Sequence, residues 1–424
     1  LATRLRFVES KGIFGPQPIK QFRAENMYLN IGIDIAKNVH EVCFVDENGK
    51  QIGNFMKLKN SRKSLDKFRN EIESISKELN AKPRIGIEAT GIYWYSLYSE
   101  LSKYYEIQVY NPSQISGFRS VNIRVSHNDK IDSRTIANML RFGEAPKTDY
   151  SDKQILEMRE YCRFHFKLIT IKTNLKKRFR RNLHLIFPGY DMVFKNVFTK
   201  TSRGILVQSP TPDDILDMGT EKLRDLMKDL SRNHINPDKA NELMEKARDT
   251  IPSEIIKESA LFELQMLLYL IETLEKQIEE VESKILIIWD SVKDRYYTQT
   301  ITGIGDIRVA TICAEIGNFD HFSHPDKILA FAGLDPKVTQ SGNKEIVRGP
   351  NKRGSKMLRW ALGWAAEEAK RNNPVIGSFF QKKLDEGKHY NTARCATAKK
   401  LVRIIWSVEN NKKPFQIPPN YLSS

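Results

Sequence analysis

Cysteine is scarce and scattered. The chain holds four, Cys43, Cys162, Cys313 and Cys395, none of them close in sequence. Neither a zinc cluster nor a disulfide framework therefore organises the fold, and a reducing cytosol is the expected setting. No apolar run approaches the ~18 residues of a membrane-spanning helix. Glycine fingerprints for dinucleotides and nucleoside triphosphates are missing, which ranks a cofactor-using metabolic enzyme last. No Ser/His/Asp ordering marks a triad, and internal repeats and low-complexity tracts are lacking. Acids are the minority charge, 52 against 68 Lys and Arg, for a net charge of +16 over 424 residues. A polyanionic partner is the simplest physical reason for that imbalance, through phosphate contacts and counterion release. The bland alternative is a solubilising basic surface. A hydrophobic content of 40% argues against wholesale disorder, and the length suits two or three domains.

What is present divides along the chain. Residues 1–26 show little periodicity and are set aside as an extension upstream of Met27. From 27 to 148, YLNIGIDIA, HEVCFVDEN and GNFMKLK read as an antiparallel three-strand meander. A helix carrying Leu65, Phe68, Ile72 and Ile75 follows. Then come the strand RIGIEA, a helix from about Ile92 to Lys103, the strand IQVYNP, and a helix beginning near Ile131. The expected fold is a mixed α/β sheet with helices packed against it. Residues 149–297 read as largely helical, with one helix near 153–184 and shorter ones over 205–250. Leu267, Ile271, Leu274, Ile278, Val281, Ile285 and Ile288 step alternately by four and three. That heptad seam fits a coiled coil, either within the chain against 153–184 or between subunits. Residues 298–408 form a last, mainly helical domain, and 409–424 a frayed tail.

Candidate chemistry lies at strand ends. Asp34 closes the apolar strand in IGIDIAK and Glu88 closes another in IGIEATG. Adjacent in a sheet, these strands would place both carboxylates at one edge. Asp129 and Asp132, in NDKIDSRTIANML, share a helix face if the helix has begun by then. Four acids at one edge repel unless cations bind between them, and two Mg2+ or Mn2+ ions are the usual answer. The alternative is scattered structural acids, a turn residue and helix caps. Of Tyr93, Trp94 and Tyr95, two are expected in the core. His40 and His127 read as local hydrogen-bonding residues rather than ligands.

Two basic stretches suggest a nucleic-acid backbone. Arg159, Arg163, Lys167, Lys172, Lys176, Lys177, Arg178, Arg180 and Arg181 are opposed over their span only by Glu160. Further on, Ser341 lies in what reads as a polar loop, followed by Lys344, Arg348, Lys352, Arg353, Lys356 and Arg359. A serine there could contact phosphate or act as a nucleophile, and spacing alone does not separate the two. Gly303 and Gly305 flank a turn whose N–H groups could meet a phosphate, much as in a helix-hairpin-helix unit. A plain tight turn reads almost equally well.

Together these segments resemble the IS110/IS116/IS902 transposases, also called DEDD transposases and related to the Piv invertases. The resemblance rests on IGIDIAKNVHEVCFVD, GIEATGIYW, NDKIDSRTIANML, TGIGDIRVATICAEIG, and FAGLDPKVTQSG through NKRGSKMLR, in that order over roughly 29–370. It implies a RuvC-like, RNase H-type first domain, a coiled-coil linker and a C-terminal transposase domain. It places the family's metal-holding acids on Asp34, Glu88, Asp129 and Asp132, and its catalytic serine on Ser341, with Thr339 and Ser355 nearby. It further implies Mg2+ or Mn2+, a covalent serine–DNA intermediate, a guide RNA from the element's flank, and dimers assembling to tetramers in the prokaryotic cytosol. Rival readings are a metal-dependent junction resolvase using water, a non-catalytic nucleic-acid binder, and an inactive relic.

Overall fold

A computed structural model of the chain describes residues 27–89, 91–110, 112–119, 128–143, 152–232, 234, 236, 238–341 and 344–421. The upstream segment 1–26 and His127 lie outside the described residues. Two compact units divide between residues 151 and 152.

The first unit is built on a five-stranded mixed sheet. Its strands are β1 (Tyr28–Asp34), β2 (Val39–Val45), β3 (Gln51–Lys59), β4 (Lys82–Glu88) and β5 (Glu106–Tyr110), in the order β3-β2-β1-β4-β5. The meander β1–β2–β3 is antiparallel, whereas β4 and β5 join parallel to β1. Helices α1 (Arg62–Leu79) and α2 (Trp94–Leu101) make the parallel crossovers, with α3 (Pro112–Arg119) and α4 (Asp129–Phe142) following. The central strands are covered on both faces. On one, Leu29, Ile31, Ile33, Ile85 and Ile87 pack with Phe68 and Ile72 of α1 and Leu97 and Leu101 of α2. Trp94 is buried there and Tyr95 packs at its margin, while Tyr93 is exposed. The other face carries α4, whose Ala137 meets Cys43 and Val45, and whose Ile136 and Leu140 cluster with Tyr110. Strands covered on both sides read as near-continuous apolar runs, as β1 and β4 do.

The second unit is mostly helical. Its spine pairs α5 (Lys153–Ile186) with α11 (Lys257–Val292). The helices are antiparallel: Gln154 bonds Ser291, His165 bonds Glu282, and Arg178 bonds Glu263. Of the two pairings that the heptad pattern allows, the chain makes the one within itself. Between the spine helices come α6 (Tyr190–Val193), α7 (Lys200–Gln208), α8 (Pro212–Met218), α9 (Thr220–Ser231) and α10 (Asp238–Asp249). They share a core with the upper spine, from Phe179 to Ile186 and Ala260 to Ile271. The lower spine, from Ile155 to Leu168 and Ile278 to Val292, enters a different core with the C-terminal elements. Those are α12 (Asp306–Ile316), α13 (Pro325–Phe331), strands β6 (Pro336–Ser341) and β7 (Lys344–Pro350), α14 (Lys356–Asn372), α15 (Pro374–Asp385) and α16 (Tyr390–Asn411).

Two expectations are corrected here. The stretch before and after Ser341 is not an irregular loop. Its backbone forms an antiparallel pair in which Ser341 faces Lys344, and a two-residue Gly-Asn spacer between alternating segments is a hairpin signature. The tail is not wholly frayed either: Phe415 donates its N–H to Thr300 at 2.7 Å and packs on the core.

Candidate functional site

The site in the first unit follows from two glycines. Gly32 on β1 and Gly86 on β4 are register partners. A Cβ at Gly32 would lie 1.9 Å from the Ser133 carbonyl oxygen and 2.5 Å from the Ala137 nitrogen. The backbone of α4 thus rests directly on β1, an approach that only glycine permits. At Gly86 the Cβ would meet side chains instead, Ile136 at 2.8 Å and Leu140 at 3.1 Å. Side chains alternate along strands, so Asp34 and Glu88, two residues beyond these glycines, belong to the α4 face. They end neighbouring parallel strands.

Helix α4 runs antiparallel to β1. The Arg141 guanidinium, near its C-terminus, would meet a Cβ on Gly49 in the β2–β3 turn, beside the start of β1. Its first turn, with Asp129 and Asp132, accordingly points toward the end of β1. Asn128 supplies the N-cap, accepting the Lys130 N–H at 3.0 Å, so both aspartates are helical residues rather than caps. Gly143, with φ of 66°, ends the helix. The N-terminal pole of α4 favours negative charge in this corner. Glu41, a residue not singled out by its sequence context, pairs directly with Asp34 across β1–β2 and is buried. The signal was a charged residue inside the apolar strand VHEVCFV. Among the described residues, no three acidic, His or Cys side chains come close enough to share one ion. The acids occupy one end of the unit without forming a finished coordination shell. Their donors are all carboxylate oxygens, the chemistry that suits Mg2+ or Mn2+.

His40 is a structural residue. Its Nδ1 accepts the Ala36 N–H at 3.2 Å, and burial holds its pKa below the usual histidine value. The buried thiols are inert, because burial raises Cys43 to about 11 and Cys162 to about 12.

Ser341 belongs to the second unit, at the end of β6. The side chains of Thr339, Ser341, Lys344 and Arg348 lie outside the described set. The base of that hairpin is firmly held. Asn351 bonds Asp335 through backbone and side chain, at 2.8 and 3.1 Å, and Lys352 bonds the Gly333 carbonyl at 3.1 Å. Arg359 donates to the Ala332 carbonyl at 2.8 Å. Lys352, Arg353 and Lys356 are exposed. Ser355 serves the fold instead. Its hydroxyl donates to Glu315 at 2.9 Å and accepts from the Leu358 N–H at 3.1 Å, capping α14.

The basic helix is divided in use. Arg159 is buried and donates to the Ala314 carbonyl at 2.6 Å, and Arg163 pairs with Glu315 at 2.8 Å. Lys172 and Lys176 answer Glu275 on α11, at 3.8 and 3.2 Å, and Arg178 answers Glu263. Lys167, Lys177, Arg180 and Arg181 are exposed. At the glycine turn, Gly303 takes φ of 87° and Gly305 caps α12. The Gly305 N–H meets the Glu368 carboxylate at 3.2 Å, which also accepts from Arg308. An internal anion thus meets the N–H that the phosphate-binding alternative would use.

Two family models match the chain. A DEDD-type IS110 transposase model takes in residues 31–188, and the model described as transposase, IS116/IS110/IS902 family, takes in 296–381. Residues 31–188 hold all four acids, and 296–381 hold Ser341. The transposase for insertion element IS1111A of Coxiella burnetii is 30% identical over 145 residues, covering 34% of this chain and 40% of that protein. The transposase for IS1328 of Yersinia enterocolitica is 28% identical over 137 residues, covering 31% and 41%. An uncharacterized 44.8 kDa protein of IS116 from Streptomyces clavuligerus is 22% identical over 298 residues, covering 69% and 73%. The first two matches thus span about two fifths of those relatives' lengths.

Proposed function

Because the chain belongs to the IS116/IS110/IS902 family of transposases, we propose that it cuts and rejoins DNA through a covalent serine intermediate. The observation that supports this reading is the seating of α4 on Gly32, with the first turn of that helix, bearing Asp129 and Asp132, directed toward the end of β1 where Asp34 lies beside Glu88. A mixed sheet with a helix so placed supports an RNase H-type, RuvC-like reading of the first unit. Asp34, Glu88, Asp129 and Asp132 would hold Mg2+ or Mn2+, which supplies charge neutralisation at the phosphate.

Ser341 is the proposed nucleophile. Its Oγ bonds to phosphorus while the serine proton passes, by way of a base, to one ester oxygen of the DNA strand, which leaves as a hydroxyl. Attack by a second strand's hydroxyl then releases Ser341 and restores the phosphodiester, with no net hydrolysis. Exposed Lys352, Arg353 and Lys356 would offset the charge that develops on phosphate. Acids and serine lie in separate compact units, which supports a composite site that draws on more than one subunit, in a dimer or tetramer. A guide RNA belongs to the same proposal, since backbone-binding cations without a base-reading element suit sequence choice by pairing.

Trapping protein–DNA adducts tests the reading, using protein co-expressed with its element's ends and flanking transcript. Wild type should yield an adduct mapped to Ser341, absent in Ser341→Ala and in Asp34→Asn. Equal yields of free cleaved ends from wild type and Ser341→Ala would leave a water-using nuclease instead.

A further inference from the structure

The helices between the two spine strokes contain a groove that the recombination chemistry does not use. It encloses about 830 Å3 along the end of α6, the start of α7, the end of α9 and the start of α10. Lys195, Lys200, Arg232 and Lys239 line it with His234, and Glu242 is the one acid on its walls among the described residues. This segment lies within 189–295, between the residues that the two family models match.

We propose that this groove binds a nucleic-acid phosphodiester backbone, a proposal that rests on the reading of the chain as a DNA-acting protein. Three observations converge. Lys172, Lys176 and Arg178 on the spine answer acids on the facing helix, whereas Lys195, Lys200 and Arg232 are exposed and make no ion pair among the described residues. Lys200 occupies the first turn of α7, where no acid stands. A cation there opposes the helix dipole, and a bound anion relieves both charges. Lys239 is fixed in place, its Nζ 3.0 Å from the Val193 carbonyl and 5.1 Å from the Phe194 ring centre. The ring of Phe194 is buried, so no exposed Phe, Tyr or Trp offers a base-stacking platform among the groove's described residues. Contacts here are to backbone and carry no sequence preference.

The test compares the full chain with the combined variant Lys195→Glu, Lys200→Glu and Arg232→Glu. A control, Lys63→Glu, Lys67→Glu and Lys222→Glu, removes the same charge at exposed positions elsewhere. Binding of random-sequence duplex DNA and of single-stranded RNA is followed by fluorescence anisotropy across a salt series. Each phosphate contact contributes about 0.9 to the log–log salt slope for duplex and about 0.7 for a single strand. The groove variant should lose about 2.7 from that slope for duplex and about 2.1 for a single strand, with tenfold or more in affinity, and the control should stay near wild type. Loss for one ligand alone identifies the source, DNA or RNA. An unchanged groove variant, or an equal loss in the control, overturns the groove while leaving the recombinase reading intact. Absence of wild-type binding to either polymer overturns both.

Discussion

Replacing Gly32 by alanine adds one methyl group where the structure has no room for it. The new Cβ would sit 1.9 Å from the Ser133 carbonyl oxygen, 2.5 Å from the Ala137 nitrogen and 3.0 Å from the Ala137 Cβ. The two closest atoms are backbone, so no side chain can rotate away. Relief requires α4 to lift by roughly 1 Å, and overpacking of this kind costs about 1–3 kcal/mol. The functional effect should exceed the stability effect. Asp129 and Asp132 ride on the displaced helix, and a misplacement near 1 Å costs roughly 100-fold in rate. Gly86→Ala is the internal comparison, since its Cβ meets only side-chain atoms of Ile136 and Leu140, which can repack. We therefore expect Gly32→Ala to lose about 2–3 kcal/mol in urea unfolding and about 100-fold in metal-dependent cleavage. Gly86→Ala should lose about 1 kcal/mol and tenfold at most. Paired urea melts and cleavage assays measure both. Equal behaviour of the two alanine variants, or wild-type stability in Gly32→Ala, would refute the argument that α4 is seated on bare backbone.

Two serines in the basic segment should separate cleanly. Ser355→Ala removes the α14 cap and one partner of Glu315, so it should cost about 1–2 kcal/mol in a melt while retaining the DNA adduct. Ser341→Ala should do the reverse, and a melt beside the adduct assay checks both. A pH effect is also expected from His40. Burial lowers its pKa from 6.5, so as pH falls below that value the unfolded chain takes up a proton that the folded chain resists. Stability is full above about 6.5 and declines on acidification. The decline should flatten in His40→Asn, measured by urea melts over a pH series. An identical slope in both proteins would exclude His40 as the cause.

Much of the first unit was legible because its signals are local. Apolar runs ending in Asp34 and Glu88, and the amphipathic run of α4, describe themselves residue by residue, although α4 begins at Asp129 behind its Asn128 cap rather than near Ile131. The seating of α4 did not, since Gly32 and Gly86 look like ordinary strand residues until the facing helix is known. Glu41 escaped for a related reason: its importance comes from standing across from Asp34, a register that no single strand specifies. The β6–β7 hairpin was legible in its Gly-Asn spacer, yet the density of charge around it suggested a loop. Charge counting along α5 could not tell Lys177, which is exposed, from Lys176, which answers Glu275. That distinction belongs to the opposite helix.

The way helices α6 to α10 join the spine bears on how this chain tolerates change in length. Ser253 returns to donate its N–H to the Leu185 carbonyl at 2.9 Å, so everything from α6 to α10 departs and re-enters at one point on the hairpin tip. Growth or trimming at such a point alters neither the register of the spine nor the core around its far end. Closing a longer detour adds only about 0.6 kcal/mol per doubling of its length. The tip therefore admits added surface while the strand-end acids and the hairpin of Ser341 keep their own scaffolds, whereas loss of the helices there would uncover Phe179, Ile186 and Leu264.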